Sequence, residues 1–336
     1  MKKTALALLC ALLLALALTA CGQDAAEPSS VPSAAPSEAA ETPGAASGLV
    51  ILCEADEDMV NNYSLLAVDP DAPFVDADGN SVADVYINTE GAAALINWML
   101  SAEGEAAAAD YGYAEYGEYL FYLADGAPVS TAEIPRATDE TRVIRMSTTT
   151  SVNDSGLLGY LLPMFEDEYG YEVEVTSAGT GKAIANAESG NADVLLVHSK
   201  SQEEEFVAAG YSYVLPGFES ERLTFLYNYF VLCGPADDPA GVKDAPSVRD
   251  AFAAIAGGKY PFVSRGDQSG THTKEVSLWP GELGITVDAA SVEQYADWYT
   301  YSNAGMGVCL TMAAETGSYI LSDKATFLTF QAGAAE

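Results

Sequence analysis

The chain has 336 residues, with 49 Asp and Glu against 14 Lys and Arg for a formal net charge of −35, and 49% of its residues are apolar. So acidic a surface excludes a general binder of nucleic acid or of an anionic membrane, since both need a basic footprint. A charged fraction of 19% with 10% aromatics excludes global disorder, and the length suits about two domains or lobes.

Lys2 and Lys3 precede an apolar run from Ala5 to Leu18, and Leu18-Thr19-Ala20-Cys21 follows. That order of basic, apolar and small residues marks a secretory signal over 1–20. A Cys directly after Leu-x-Ala resembles the bacterial lipobox, which implies a diacylglyceryl group on the Cys21 thiol and anchoring through its acyl chains. The alternative is an ordinary signal peptide that happens to carry a Cys. Residues 21–48, mostly Ala, Ser, Pro, Glu and Gly, read as a solvated tether. Loss of 1–20 removes Lys2 and Lys3 and no acid, so the mature net charge is −37. No later apolar run nears the roughly 18 residues of a membrane span. The folded part is expected outside the cytoplasm, lipid-anchored to the cell membrane.

Helices are predicted over 90–100 and 103–110, before an aromatic segment at 111–122. From residue 143 strand-like and helix-like segments alternate, the signature of an α/β fold. Strands are predicted at 143–147, 171–176, 192–197 and 261–264. Helices are predicted at 181–188, 247–256, 269–279 and 307–315. Another helix is predicted to open at Asp154-Ser155-Gly156, capped by Asp or Ser, with Leu157, Leu158, Leu161, Leu162 and Phe165 on one face. Pro163 should kink it. Two extended segments, Asn62-Tyr63 to Pro70 and Asn228-Tyr229 to Pro235, look alike and suit crossover strands between two lobes, or two ordinary buried strands. Cys53, Cys233 and Cys309 each lie in an apolar run and read as buried thiols, with one disulfide among them left open.

Three loops share one layout, a strand followed by small or hydroxyl residues and a helix start: 147–151, 177–182 and 264–271. A helix N-terminus offers unpaired N–H groups and partial positive charge, hydroxyls add donors, and Gly lets the backbone approach a ligand. Such loops lie at the carboxyl ends of strands, where open α/β sheets bind ligands. Three of them converging around Arg265 make a donor-only cage for a tetrahedral oxyanion. Arg142, Arg145, Lys182 and Lys274 fall near these loops in sequence. The rival motifs fare worse. Gly179-Thr180-Gly181-Lys182 lacks the first Gly and the Ser/Thr of a phosphate loop, a Ser269/His272 nucleophile pair would sit in one helical turn, and two His without a Cys cluster leave no zinc spacing. No cofactor, metal or catalytic residue is expected, and the reading is a binding protein rather than an enzyme.

Segments 147–158 (STTTSVNDSGLL), 178–183 (AGTGKA), 192–198 (ADVLLVH), 238–241 (DPAG), 262–275 (FVSRGDQSGTHTKE) and 305–307 (GMG) resemble the extracytoplasmic tungstate-binding proteins of ABC importers. The resemblance covers roughly 143–330. It implies a two-lobed type II periplasmic-binding-protein fold with the oxyanion in the cleft. Carried over by motif, Thr148, Thr149, Thr150, Ser151, Thr180 and Gly181 serve from one lobe, and Arg265, Ser269, Gly270 and Thr271 from the other. It further implies a monomer that hands tungstate to an ABC permease. A phosphate or molybdate carrier, or an extracellular sensor or adhesin on the same fold, is the alternative. Phosphate, protonated near neutral pH, would need an acceptor such as Asp154 or Asp267.

The order departs from the family. Its members begin near the Thr-Thr-Thr-Ser strand and run some 80 residues past the counterpart of 319–328, whereas residues 49–124 here look like that tail moved to the front. A circular permutant is therefore expected. Residues 49–62 would belong to lobe 2, 63–135 and 136–232 to lobe 1, and 233–336 to lobe 2, with 124–141 joining the old termini.

Overall fold

The computed structural model describes residues 48–333. The predicted signal, Cys21 and the tether up to residue 47 lie outside the described residues. In chain order the strands are β1 (Leu49–Cys53), β2 (Val60–Ala67), β3 (Tyr122–Leu123), β4 (Val143–Thr149), β5 (Glu172–Ala178), β6 (Val194–Val197), β7 (Leu223–Pro235), β8 (Phe262–Ser264), β9 (Tyr299–Tyr301) and β10 (Ile320–Asp323). Eight of them form one mixed sheet in the order β1-β7-β2-β6-β4-β5, with β3 and β10 also paired to β7, while β8 and β9 form a parallel pair. The parallel set is β6-β4-β5; β2 runs antiparallel to both β6 and β7.

Alternation explains the core. Along β2 and β6, Leu65, Val194 and Leu196 enter one apolar cluster and Leu66, Leu195 and Val197 another, so both faces of the sheet are covered. A strand buried on both faces reads as a continuous apolar run, as 194–197 does. Along β7, Phe230 and Leu232 face one further cluster and Val231 and Cys233 the other. The two look-alike segments lie side by side, Asn61 opposite Asn228 and Asn62 opposite Tyr227. The 13-residue β7 continues past that pairing to hold β1 and β10.

A buried polar cluster fastens β2, β7 and β10 together. The Asp323 carboxylate accepts from Tyr63 Oη (2.8 Å), Asn228 Nδ2 (2.7 Å) and Asn61 Nδ2 (3.3 Å), and its second oxygen caps the helix Lys324–Gln331 through Thr326 N. A second tie is Asp193, fully buried, which accepts from Asn88 N and from Arg145 N, Nε and Nη2. Asn88 in turn caps the helix Thr89–Met99 and donates to the carbonyls of Thr141 and Val143.

Several local expectations are corrected. Asp154 does not open the long helix. Thr149 caps a separate short helix, Thr150–Asp154, and the chain then turns at Gly156, with φ of 80°, into the helix Leu157–Tyr169. Gly is required there: a Cβ would lie 2.3 Å from the Tyr111 hydroxyl, which donates to Ser155 O. Pro163 lies inside that helix, four residues after Gly159; both face solvent, so water can reach the carbonyl that the ring leaves unpaired. Arg145 sits toward the amino-terminal end of β4, bound to Asp193, Gly190 O and Tyr86 O, and Arg142 pairs with Glu172 at the surface. Neither reaches the strand's carboxyl end. All three described cysteines are free thiols, and Cys53 is only partly buried.

Glu275, 2% exposed, accepts from Trp279 Nε1 (2.9 Å) and Tyr299 Oη (2.6 Å), and burial pushes its carboxyl from 4.5 up to about 7. Its folded value exceeds its unfolded one, so its contribution is fully present below about pH 4.5 and is lost as pH rises toward 7, by at most about 3 kcal/mol. Glu275→Gln keeps the accepting oxygen and is expected to flatten that decline. Urea unfolding at pH 5 and 8 checks this, and equal pH slopes in parent and variant would refute it.

Candidate functional site

Of the strand ends that carry helix starts, four bear on the site. β4 leads into the helix Thr150–Asp154, β5 into Thr180–Glu188, β8 into Gly270–Leu278, and β6, through His198 and Ser199, into Lys200–Ala208. The first three are the loops expected from the hydroxyl and glycine strings. The fourth has no such string and was missed. Its signal was one of just two histidines, placed directly after a buried four-residue strand.

Side chains are aimed by the caps. Thr149 Oγ1 accepts from Val152 N (3.3 Å) and Ser269 Oγ from His272 N (3.2 Å), which leaves each hydroxyl proton free to donate elsewhere. Gly179 precedes its helix without a side-chain cap. The first N–H groups of that helix therefore keep their donor capacity for other partners.

The loops meet. Arg265 Nη2 donates to Thr150 Oγ1 (3.1 Å) and to Asp267 Oδ2 (2.5 Å). A Cβ on Gly179 would lie 3.4 Å from Asp267 O, and one on Gly270 only 2.6 Å from His198 Cε1, so the loops touch where glycine allows it. His198 Nε2 lies 3.0 Å from Thr149 Oγ1 and 3.1 Å from Ser151 Oγ. Arg265 and Ser151 are 2% exposed and Thr180 is fully buried. Yet Arg265 Nε and Nη1, Thr180 Oγ1 and Thr271 Oγ1 have no hydrogen-bond partner in the protein. Each buried unpaired donor costs about 1–3 kcal/mol. Several of them on touching loops point to an acceptor-rich ligand.

Thr148 stands apart from this convergence: its hydroxyl donates to Leu196 O (2.6 Å) inside the sheet. Gly181 lies in the first turn of its helix on the side of Gln202. Thr149, Thr150, Ser151, Thr180, Arg265, Ser269, Gly270 and Thr271 lie on the touching loops.

His198 sets the donor pattern. Its Nδ1 lies 2.9 Å from Asn61 Oδ1, and the Asn61 amide donates to Tyr63 Oη and Asn228 Oδ1, which fixes Oδ1 as the acceptor. Nδ1 therefore carries the proton, and the single lone pair of Nε2 accepts from Thr149 or Ser151, which leaves the other hydroxyl proton free. Burial, with Arg265 adding to it, pulls the imidazole down to about 3, so it is neutral at ordinary pH. The Asp267 carboxylate is engaged by Arg265 and by Ser269 N (3.2 Å). Each Asp267 oxygen thus already accepts one bond and His198 Nε2 is taken, while several donors are left without partners. Ser269 and His272 form no nucleophile pair, since His272 Nδ1 takes the Gln268 N–H. Among the described residues no group of three or more His, Cys, Asp or Glu is placed to hold a metal ion, and no helix is long and apolar enough to cross a membrane.

Residues 135–336 match the family model of the PBP superfamily domain. Among curated proteins, the tungstate-binding protein TupA of Peptoclostridium acidaminophilum is 46% identical over 191 residues, 56% of this chain and 62% of that protein. A putative ABC transporter anion-binding protein of Haloferax volcanii is 44% identical over 191 residues, 57% of this chain and 52% of that protein. The chain thus spans between half and two thirds of the length of these relatives. The solved structure of the tungstate ABC transporter from Geobacter sulfurreducens aligns with a TM-score of 0.47 at 37% identity, over 58% of this chain and 77% of that one.

Proposed function

This chain belongs to the PBP superfamily, and from that premise we propose that it captures a fully ionised tetrahedral oxyanion, tungstate, and delivers it to an ABC permease. The observation that carries the reading is the set of buried unpartnered donors, Arg265 Nε and Nη1, Thr180 Oγ1 and Thr271 Oγ1, on loops that touch. A dianion without protons uses donors only. Monohydrogen phosphate brings a proton that needs an acceptor; His198 Nε2 is already taken and each Asp267 oxygen already accepts one bond, so the site favours the ligand without a proton. The net charge of −35 does not oppose this. At about 0.15 M salt, surface charge is screened beyond roughly 8 Å, while the donors act at contact distance.

In this reading Thr149, Thr150, Ser151, Thr180 and Gly181 hold the ion from one lobe and Arg265, Ser269, Gly270 and Thr271 from the other. Binding then favours the closed arrangement, because loops from both lobes touch one ligand. Thr148 acts from the strand, positioning Thr149. The protein itself is monomeric, held outside the cytoplasm by a lipid on Cys21. Calorimetry on the form beginning at residue 22, with tungstate, molybdate, sulfate and phosphate, tests the proposal. Tight, selective uptake of tungstate is expected; preference for phosphate would overturn the ligand assignment, and no uptake of any of the four would favour a sensor or adhesin.

We also propose that the segment order is permuted, residues 49–124 taking the place of a family segment that elsewhere follows the matched region. Support comes from β2, which lies between β6 and β7 in the same sheet, and from the ties of Asn88 and Asn61 to the matched region. A chain reordered to run from 136 to 332 and then through 49–124 is expected to fold and bind as the parent does; a reordered chain that stays unfolded would count against permutation.

A further inference from the structure

Most of the ligand groups named above are sealed, Arg265 being 2% exposed, Thr271 1% and Thr149 1%, while Thr150 is half-buried and Gly181 exposed. An ion therefore reaches them through a neighbouring opening. One cleft of about 510 Å³ has His198 and Gly270 in its lining, and so borders the proposed site directly. The larger cavity of about 990 Å³, lined in part by Phe218, Tyr227 and Tyr229, contains none of the ligand groups.

The charges around the smaller cleft are unusual for this molecule. Against a net charge of −35, its lining holds three cations, Lys200, Arg222 and Lys274, and one carboxylate, Glu204. Arg222 is committed to buried Glu203, and Lys200 pairs with Glu204 at 3.6 Å across exposed side chains. Lys274 differs. Its ammonium donates to a backbone carbonyl, Asp58 O (2.9 Å), and lies 5.9 Å from the Phe230 ring centroid, while the Asp58 carboxylate is bound by Arg249. Lys274 also stands on the helix Gly270–Leu278, whose first turn supplies Gly270 and Thr271. It thus presents positive charge on the cleft wall, one turn from the site.

We propose that this cleft is the route by which the anion approaches, with Lys274 and, nearer the rim, Lys200 steering it against the repulsion of the surface. The inference rests on the oxyanion reading above. A charged cleft with low-dielectric walls concentrates counter-ions and raises association rates in a salt-dependent way. A rim charge acts on the association rate more than on the dissociation rate.

The test is stopped-flow tungstate binding by the form beginning at residue 22, over a series of ionic strengths, for the parent, Lys274→Gln, Lys200→Gln and Lys259→Gln. Lys259 pairs with Asp297 away from the cleft lining and serves as the charge-matched control. Lys274→Gln is expected to slow association by about 3–10-fold at low salt and to flatten its salt dependence, with Lys200→Gln slower by a smaller factor and Lys259→Gln near the parent. Dissociation rates close to the parent's would show the site intact. Association rates and salt slopes equal to the parent's in both cleft variants would overturn the inference while leaving the oxyanion reading standing. A parent that binds no oxyanion would remove both.

Discussion

Arg265→Ala is expected to weaken tungstate binding by at least about 30-fold, with the protein still folded. Arg265 is nine-tenths or more buried and has two nitrogens, Nε and Nη1, without a protein partner. Removing a buried, hydrogen-bonded charge from its counter-ion costs about 2–5 kcal/mol, and 2 kcal/mol is roughly 30-fold in affinity. The variant also strands the Asp267 carboxylate beside the ion, which adds repulsion. Arg265→Lys should recover little, because an ammonium lacks the planar fork that reaches Thr150, Asp267 and the ligand together. Calorimetry reads the affinity, and an unchanged thermal midpoint shows that folding survives. An affinity within threefold of the parent's would remove Arg265 from the site.

The largest expected effect on stability comes from Asp323→Ala. Asp323 is fully buried and collects Tyr63, Asn228, Asn61 and the Thr326 backbone N–H. Burial pushes its carboxyl up, while these four donors pull it back down. Deleting it leaves several buried donors unpaired at once, a loss of about 3–5 kcal/mol. Asp323→Asn keeps one accepting oxygen but turns an amide N–H₂ toward other donors, so it should cost less, about 1–3 kcal/mol. Urea unfolding gives both values. A loss below about 1 kcal/mol for the alanine variant would mean that water replaces the carboxylate. The same cluster orients Asn61 and, through it, His198. A variant that stays folded should therefore also lose affinity.

Much of the local architecture was legible in the residues. The apolar spacing of Leu157, Leu158, Leu161, Leu162 and Phe165 marks a helix face, and all five are buried. The run at 194–197 marks a strand covered on both sides, and β6 is that strand. Three hydroxyl- and glycine-rich loops marked strand-to-helix junctions, and each is one. These features depend on side-chain period and on cap chemistry, which act over a few residues and so are written locally. Asp154 shows the limit, since Asp and Thr both suit an N-cap and only the turn at Gly156 decided between them.

Pairing over long distances decided the rest. That β2 lies between β6 and β7, more than 100 residues away in the chain, follows from which faces can be covered together and in what register, and no local pattern encodes it. Thr148 and Thr149 are adjacent and chemically alike. Alternation along the strand sends one hydroxyl to Leu196 O and the other toward His198. His198 and Asn61 enter the site only because β6 and β2 are neighbours, which brings residues 137 apart in sequence to 2.9 Å. The sequence alone determined many of the elements and the donor chemistry of three loops, because both arise from nearby residues. Only the tertiary structure decided which of those donors meet, which are spent inside the sheet, and which imidazole sets their direction, because those are properties of contacts made between distant segments.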